Sequence, residues 1–230
     1  MRYIETYGDQ RQLAFCAFCG GATGTRDHCP SRVLLDKPYP ENLPVVPACR
    51  TCNAGFSSDE EYFARLVSCV LAGSTEPDSI PRQKIARILR KKPALRSRIE
   101  QSRRETASEI SFTPESHRVF SVVRKLAQGH ALHELHEPCA YPPSEICIQP
   151  FALMSEAQRD EFESPSPLGR SIWPEVGSRA LQRLVTEKND LYDGWLEIQR
   201  RGYRFQASVP NGIEIRIVIQ EYLAVLVRWE

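Results

Sequence analysis

The sequence predicts an α+β protein in three parts: a small cysteine-clamped N-terminal module, a basic helical middle, and a C-terminal unit with a small antiparallel sheet. Three observations carry this reading. Cys16/Cys19 and Cys49/Cys52 form two Cys-x-x-Cys pairs. Between them and residue 128, apolar residues recur at helical spacing, as in Tyr62, Phe63, Leu66, Val67, Val70 and Leu71 and again in Val119, Val122, Val123 and Leu126. Beyond residue 190 the period falls to two over 194–199, 203–209, 213–219 and 222–229, with Asn211-Gly212 as a hairpin signal between the middle pair. The three parts are residues 1–75, 76–136 and 137–230.

Each part has a local rationale. Four thiolates in two pairs make a closed tetrahedral Zn²⁺ site, because the two-residue gap lets both sulfurs of a tight turn reach one ion. The 29 residues between Cys19 and Cys49 exceed the about 15–20 of the commonest such module, leaving room for an insert. Within it, residues 25–35 are expected to give the hairpin strands and their loop, with Pro30 closing the first strand. Residues 36–47 hold Pro38, Pro40, Pro44 and Pro47 and are expected to be an extended loop. A short helix follows over 48–55. Ser57-x-x-Glu60 reads as a capping box opening a helix over 58–72. Pro81 and Pro93 punctuate two basic helices, 81–91 and 94–105, and a further helix over 115–128 is expected to stop at Gly129. In the last third, 145–152 reads as a strand, 155–162 as a short capped helix, 164–173 as a loop and 177–188 as a helix.

Composition sets outer bounds. Of the 230 residues, 41% are hydrophobic and 26% charged, the balance of a soluble globular chain long enough to bury a core. MRYIETYGDQ carries no basic-then-apolar signal, and no apolar run reaches membrane-span length. The expectation is a cytoplasmic protein, where Cys-x-x-Cys pairs hold metal in preference to disulfides. Cys29, Cys69, Cys139 and Cys147 lie outside the pairs and are read as packed thiols. His130, His133, His136 and Cys139 recur at intervals of three, but they drift around a helix and have no well-placed carboxylate. They are read as a polar helix end.

The insert between the pairs holds Asp27-His28 and Asn42, and Asn53 directly follows the last cysteine. DHCP, ENL and CRTCN, in that order within a pair of Cys-x-x-Cys clamps, resemble the HNH endonuclease family, the ββα-metal finger, over residues 14–60. The resemblance implies a metal-dependent hydrolase of phosphodiester bonds in DNA, with a structural zinc on Cys16, Cys19, Cys49 and Cys52. His28 would be the general base, Asn42 would orient it, and Asp27 and Asn53 would hold a catalytic Mg²⁺ or Mn²⁺. Asn53 stands where the family more often has histidine; its amide oxygen suits a hard ion. The chemistry agrees with these roles, since histidine titrates near neutrality and a neighbouring metal disfavours its charged form.

Charge distribution adds a nucleic-acid expectation. Net charge is only +1, yet ten Lys/Arg and a single acid, Glu100, lie between residues 82 and 104. Such a stripe is the footprint of phosphate binding, and Arg87, Arg90, Lys91 and Lys92 are its expected contacts. Arg26, Arg32 and Arg50 flank the Asp27-His28 insert and are read as phosphate clamps. DNA is the expected partner through the resemblance, and RNA is chemically equivalent for these contacts. The C-terminal unit has no role legible in its residues; a homodimer or protein contact through it is compatible. The alternative function is a zinc-stabilised nucleic-acid-binding module without catalysis.

Overall fold

The computed structural model describes residues 14–41, 43–107, 109–165, 179, 183, 185, 191–192, 194–209 and 211–230. Among them the chain is a mixed α+β protein. In order it runs β1 (Thr25–His28), β2 (Val45–Ala48), α1 (Arg50–Gly55), α2 (Ser57–Ala72), α3 (Gln83–Lys91), α4 (Pro93–Ser102), β3 (Arg103–Glu105), β4 (Ile110–Phe112) and α5 (Ser116–His130). Then come β5 (Glu145–Pro150), α6 (Glu156–Glu163), β6 (Leu191–Tyr192), β7 (Trp195–Gln199), β8 (Tyr203–Ser208), β9 (Ile213–Ile219) and β10 (Leu223–Trp229). Two compact units form. One combines the chain up to Ala54 with Val123–Glu230, and the other is Gly55–Val122.

In the first unit, β1 and β2 pair antiparallel, with Asp27 opposite Val46 and His28 opposite Val45. The second strand therefore lies inside the segment expected to be loop, not within residues 25–35. Pro47 does not prevent this. Its carbonyl accepts from Ala17 N–H, so that edge of Pro47 faces away from β1 and no ladder donor is lost.

A six-stranded antiparallel sheet, ordered β5-β10-β9-β8-β7-β6, forms the body of this unit. Alternation gives it two faces. Tyr203, Phe205, Ile215, Ile217, Val225 and Val227 are fully buried on one. On the other, Phe151, Phe162, Trp195, Val218 and Ala224 make a second apolar cluster. Beside that cluster runs a charge ladder in which Glu214 accepts from Arg216 and Arg228, and Arg228 also reaches Glu145. Arg216 further donates to the carbonyls of Glu161, Phe162 and Ser164, closing the C-terminus of α6. The N-terminus of α6 has the expected cap, a reciprocal capping box between Ser155 and Gln158.

Three local readings are corrected. The helix α5 passes through Gly129 and ends in a wider turn over Ala131–Leu135. Glycine is needed there for space: a Cβ would lie 2.5 Å from Cys29 Sγ. Ser57 is not a cap, since Phe56 holds the N-cap position of α2 without a side-chain hydrogen bond. The stretch read as a basic helix to 105 turns at Arg103 into the β3–β4 hairpin. Of the four cysteines outside the pairs, Cys29, Cys69 and Cys139 are buried as expected and Cys147 is exposed. The loop over 164–173 and the helix over 177–188 fall largely outside the described residues, though Arg179, Arg183 and Val185 are helical.

His130 is fully buried, which corrects its reading as part of a polar helix end. It is stacked 3.6 Å from the Phe205 ring, and its Nε2 lies 2.7 Å from the Tyr203 hydroxyl. Burial depresses its pKa from 6.5 to about 3. The unfolded chain therefore binds a proton near pH 6.5 that the folded chain refuses until about 3, so stability falls as pH drops through that window. From pH 7 to 5 we expect a loss of about 2 kcal/mol. Urea unfolding followed by tryptophan fluorescence measures it, and His130→Gln should flatten that pH slope.

In the second unit, α2 ends cleanly at Gly73, whose φ of 61° lets its N–H close the last turn. Tyr62, Phe63, Leu66, Ile85, Leu89 and Ile99 are buried there, the core positions set by the helical spacing. No helix among the described residues is long and apolar enough to cross a membrane.

Candidate functional site

The first cysteine pair sits on a tight turn. Cys16 N–H donates to Gly21 O, Gly20 N–H donates to Cys16 O, and Gly20 supplies the positive φ of 71° that the reversal needs. The second pair opens α1, where Cys52 N–H donates to Cys49 Sγ at 3.3 Å. All four sulfurs lie within 4.8 Å of one another, with Cys19 and Cys49 Sγ 3.9 Å apart. A tetrahedral Zn²⁺ with bonds of about 2.3 Å requires sulfurs about 3.8 Å apart, so the set fits a structural metal such as zinc. The Cys52 N–H draws the Cys49 thiol down to about 7, whereas burial, then the neighbouring sulfurs, push Cys52 up. Four crowded sulfurs cannot all ionise unaided; a divalent cation relieves that repulsion. This is the one metal-capable group of His, Cys, Asp and Glu side chains among the described residues.

Asp27 and His28 lie at the end of β1, next to the hairpin's long insert. His28 is partly buried, and its pKa is lowered first by that burial and then by the Arg32 and Lys125 charges, with Asp27 opposing. The shift favours the uncharged imidazole. Its Nδ1 is buried without a hydrogen-bond partner. Asn53, on α1, donates through Nδ2 to Thr25 Oγ1 and Arg26 O, both at 3.1 Å, and so ties the helix to β1. That leaves its amide oxygen as the remaining donor atom. Asn42, expected to orient His28, lies outside the described residues.

The structure adds a residue that the motif did not include. Lys125, on α5, is 1% exposed and places Nζ 2.8 Å from Asp27 Oδ2 and 2.8 Å from Ser31 Oγ, over the Phe18 ring. Asp27 itself is only 12% exposed. Gln128, one turn on, donates to the carbonyls of Phe18 and Cys139, and Cys29 Sγ–H donates to Leu126 O. Helix α5 thus holds the cysteine module from below. The sequence signal was present: a lysine three residues after Val122 and next to Leu126, on the apolar side of the helix. The oxygen atoms left by these contacts, one from Asp27 and one from Asn53, are the hard donors that suit Mg²⁺ or Mn²⁺.

The arginines divide. Arg26 and Arg50 are exposed on β1 and α1, and Arg32 is exposed with its guanidinium 5.9 Å from the Tyr39 ring. In the second unit the basic stripe is largely offset by that unit's own acids. Arg90 pairs with Asp78, Lys92 with Glu61, Arg96 with Glu76, Arg98 with Glu115, and Arg103 with Glu100 and Glu105. Between Gly55 and Val122 there are twelve Lys/Arg against nine Asp/Glu, so the unit's charge is far smaller than the stripe suggests. Arg87 and Lys91 are exposed, and neither makes an ion pair among the described residues.

The other metal-like cluster dissolves. His133 contacts Arg179 and Glu134, Glu134 pairs with Arg183, and His130 is in the core. Compared with known proteins, the chain matches no family model, no curated protein and no solved structure.

Proposed function

We propose that the chain is a metal-dependent endonuclease of the HNH type that hydrolyses phosphodiester bonds in DNA. The observation that carries this reading is a partly buried His28 next to Asp27 on β1, with Asn53 of α1 hydrogen-bonded to the same strand. The order strand, strand, short helix, clamped by four cysteines, supports it. His28 takes the proton from the attacking water, a role that needs the imidazole uncharged near neutral pH. Asn42 orients the ring. Asp27 and Asn53 would hold Mg²⁺ or Mn²⁺, which when bound supplies charge neutralisation at the phosphate and at the leaving oxygen. By the same resemblance the products are a 5′-phosphate and a 3′-hydroxyl. Arg26, Arg32 and Arg50 supply cationic contacts to the backbone.

Supercoiled plasmid incubated with and without Mg²⁺ or Mn²⁺ tests the proposal. Metal-dependent nicking is the expected result, and intact plasmid overturns it. A specific observation favours the second reading, a non-catalytic nucleic-acid-binding module: the Asp27 carboxylate already has a cation, Lys125. Binding without nicking selects that module.

The ion pairs of the basic stripe refine its expected role. Arg87 and Lys91 are exposed cations of the stripe that make no ion pair among the described residues. Replacing both by alanine should weaken DNA binding equally for all sequences and lower the slope of log K against log salt by about 2. An unchanged slope in a salt titration of fluorescent duplex removes the stripe from the interface.

A further inference from the structure

We propose that Lys125 is a built-in competitor of the divalent ion, a positioning residue that holds Asp27 in place and keeps the affinity of the site for metal low. The inference rests on the reading of Asp27 as a metal ligand. Lys125 reaches Asp27 from a helix far along the chain, and its ammonium is fixed on both sides, by Asp27 Oδ2 and by Ser31 Oγ, each at 2.8 Å. At 1% exposure it has no solvent position to swing into. A divalent ion at Asp27 would therefore share the carboxylate with a cation that cannot leave. Like charges a few ångströms apart repel strongly at partly buried sites. The same contact has a positive side: it holds the carboxylate in one orientation before any metal arrives, as an outer-shell hydrogen bond orients a ligand. The site is thus ordered but weakly cation-binding.

The test measures metal binding without substrate, on the zinc-loaded full chain, by electron paramagnetic resonance of free Mn²⁺. Lys125→Met should bind Mn²⁺ at least tenfold more tightly than the parent, and the gain should vanish when Asp27→Asn is added. Lys125→Arg, which keeps the charge, should not show it. Should Lys125→Met fail to fold, Lys125→Gln carries the same expectation, because it removes the charge and keeps a hydrogen-bond donor for Asp27 and Ser31. Equal or weaker Mn²⁺ binding in the neutral variants overturns the role of Lys125 while leaving the nuclease reading intact. No Mn²⁺ binding in the parent or any variant overturns both.

Discussion

His28→Ala should abolish nicking while leaving the fold and DNA binding unchanged. The loss of a general base costs about 10²–10⁴ in rate. The substitution removes a partly buried ring whose Nδ1 makes no hydrogen bond, and the Pro44 carbonyl that the ring contacts keeps its bond from Cys29 N–H. The sign of the pH dependence follows from the direction of the shift. A base acts when deprotonated, and burial and the Arg32 charge hold the pKa of His28 below 6.5. The parental rate should therefore be flat across neutral pH and fall only below about 6.5, on a limb that His28→Ala lacks. Asp27→Ala differs in kind. It leaves Lys125 buried without its carboxylate, a defect that costs about 3–5 kcal/mol, so it should reduce stability as well as metal affinity. Asn53→Ala should loosen α1 from β1 and weaken metal binding, and raised Mn²⁺ should partly restore its rate. If His28→Ala cuts at the parental rate in a preparation free of contaminating nuclease, the mechanism is overturned.

Cys49→Ser should unfold the cysteine module, not merely slow a reaction. The four sulfurs tie the turn of the first pair to the start of α1, and a structural zinc supplies about 10–16 kcal/mol of folding energy in comparable small sites. The expected signature is a lost zinc equivalent, together with protease sensitivity confined to the N-terminal segment. Chelation of the parent should do the same reversibly. A Cys49→Ser protein that retains one zinc and melts like the parent would assign the ligands elsewhere.

The reach of the sequence varied with the physical range of each interaction. The cysteine pairs were legible because ligand spacing in a turn is local, and the four sulfurs converge as expected. Strands β7 to β10 were legible because the pleat sends successive side chains to opposite faces and the Asn211-Gly212 turn is a local signal. The Ser155–Gln158 cap was local too. By contrast, Ser57 looked like an equally good cap, and only the packed chain places Phe56 there instead. Gly129 read as a helix stop, but the helix continues and the glycine answers to the Cys29 sulfur, a hundred residues away in the chain. The second strand of the hairpin was hidden among prolines, because whether Pro47 is tolerated depends on which way its edge faces.

The candidate site divides in the same way. By itself the sequence determined the donor atoms: four thiolates at a spacing that fits one metal, and an Asp27-His28 pair followed by Asn53 in an order that resembles a known nuclease finger. Only the tertiary structure decided which charges meet. Five cations of the stripe, Arg90, Lys92, Arg96, Arg98 and Arg103, pair with acids of their own unit, and Asp27 faces a buried lysine on α5. Spacing along the chain fixes contacts within a turn or a hairpin. An ion pair between residues 27 and 125 exists because the packed helix carries a charge to where no water can replace it.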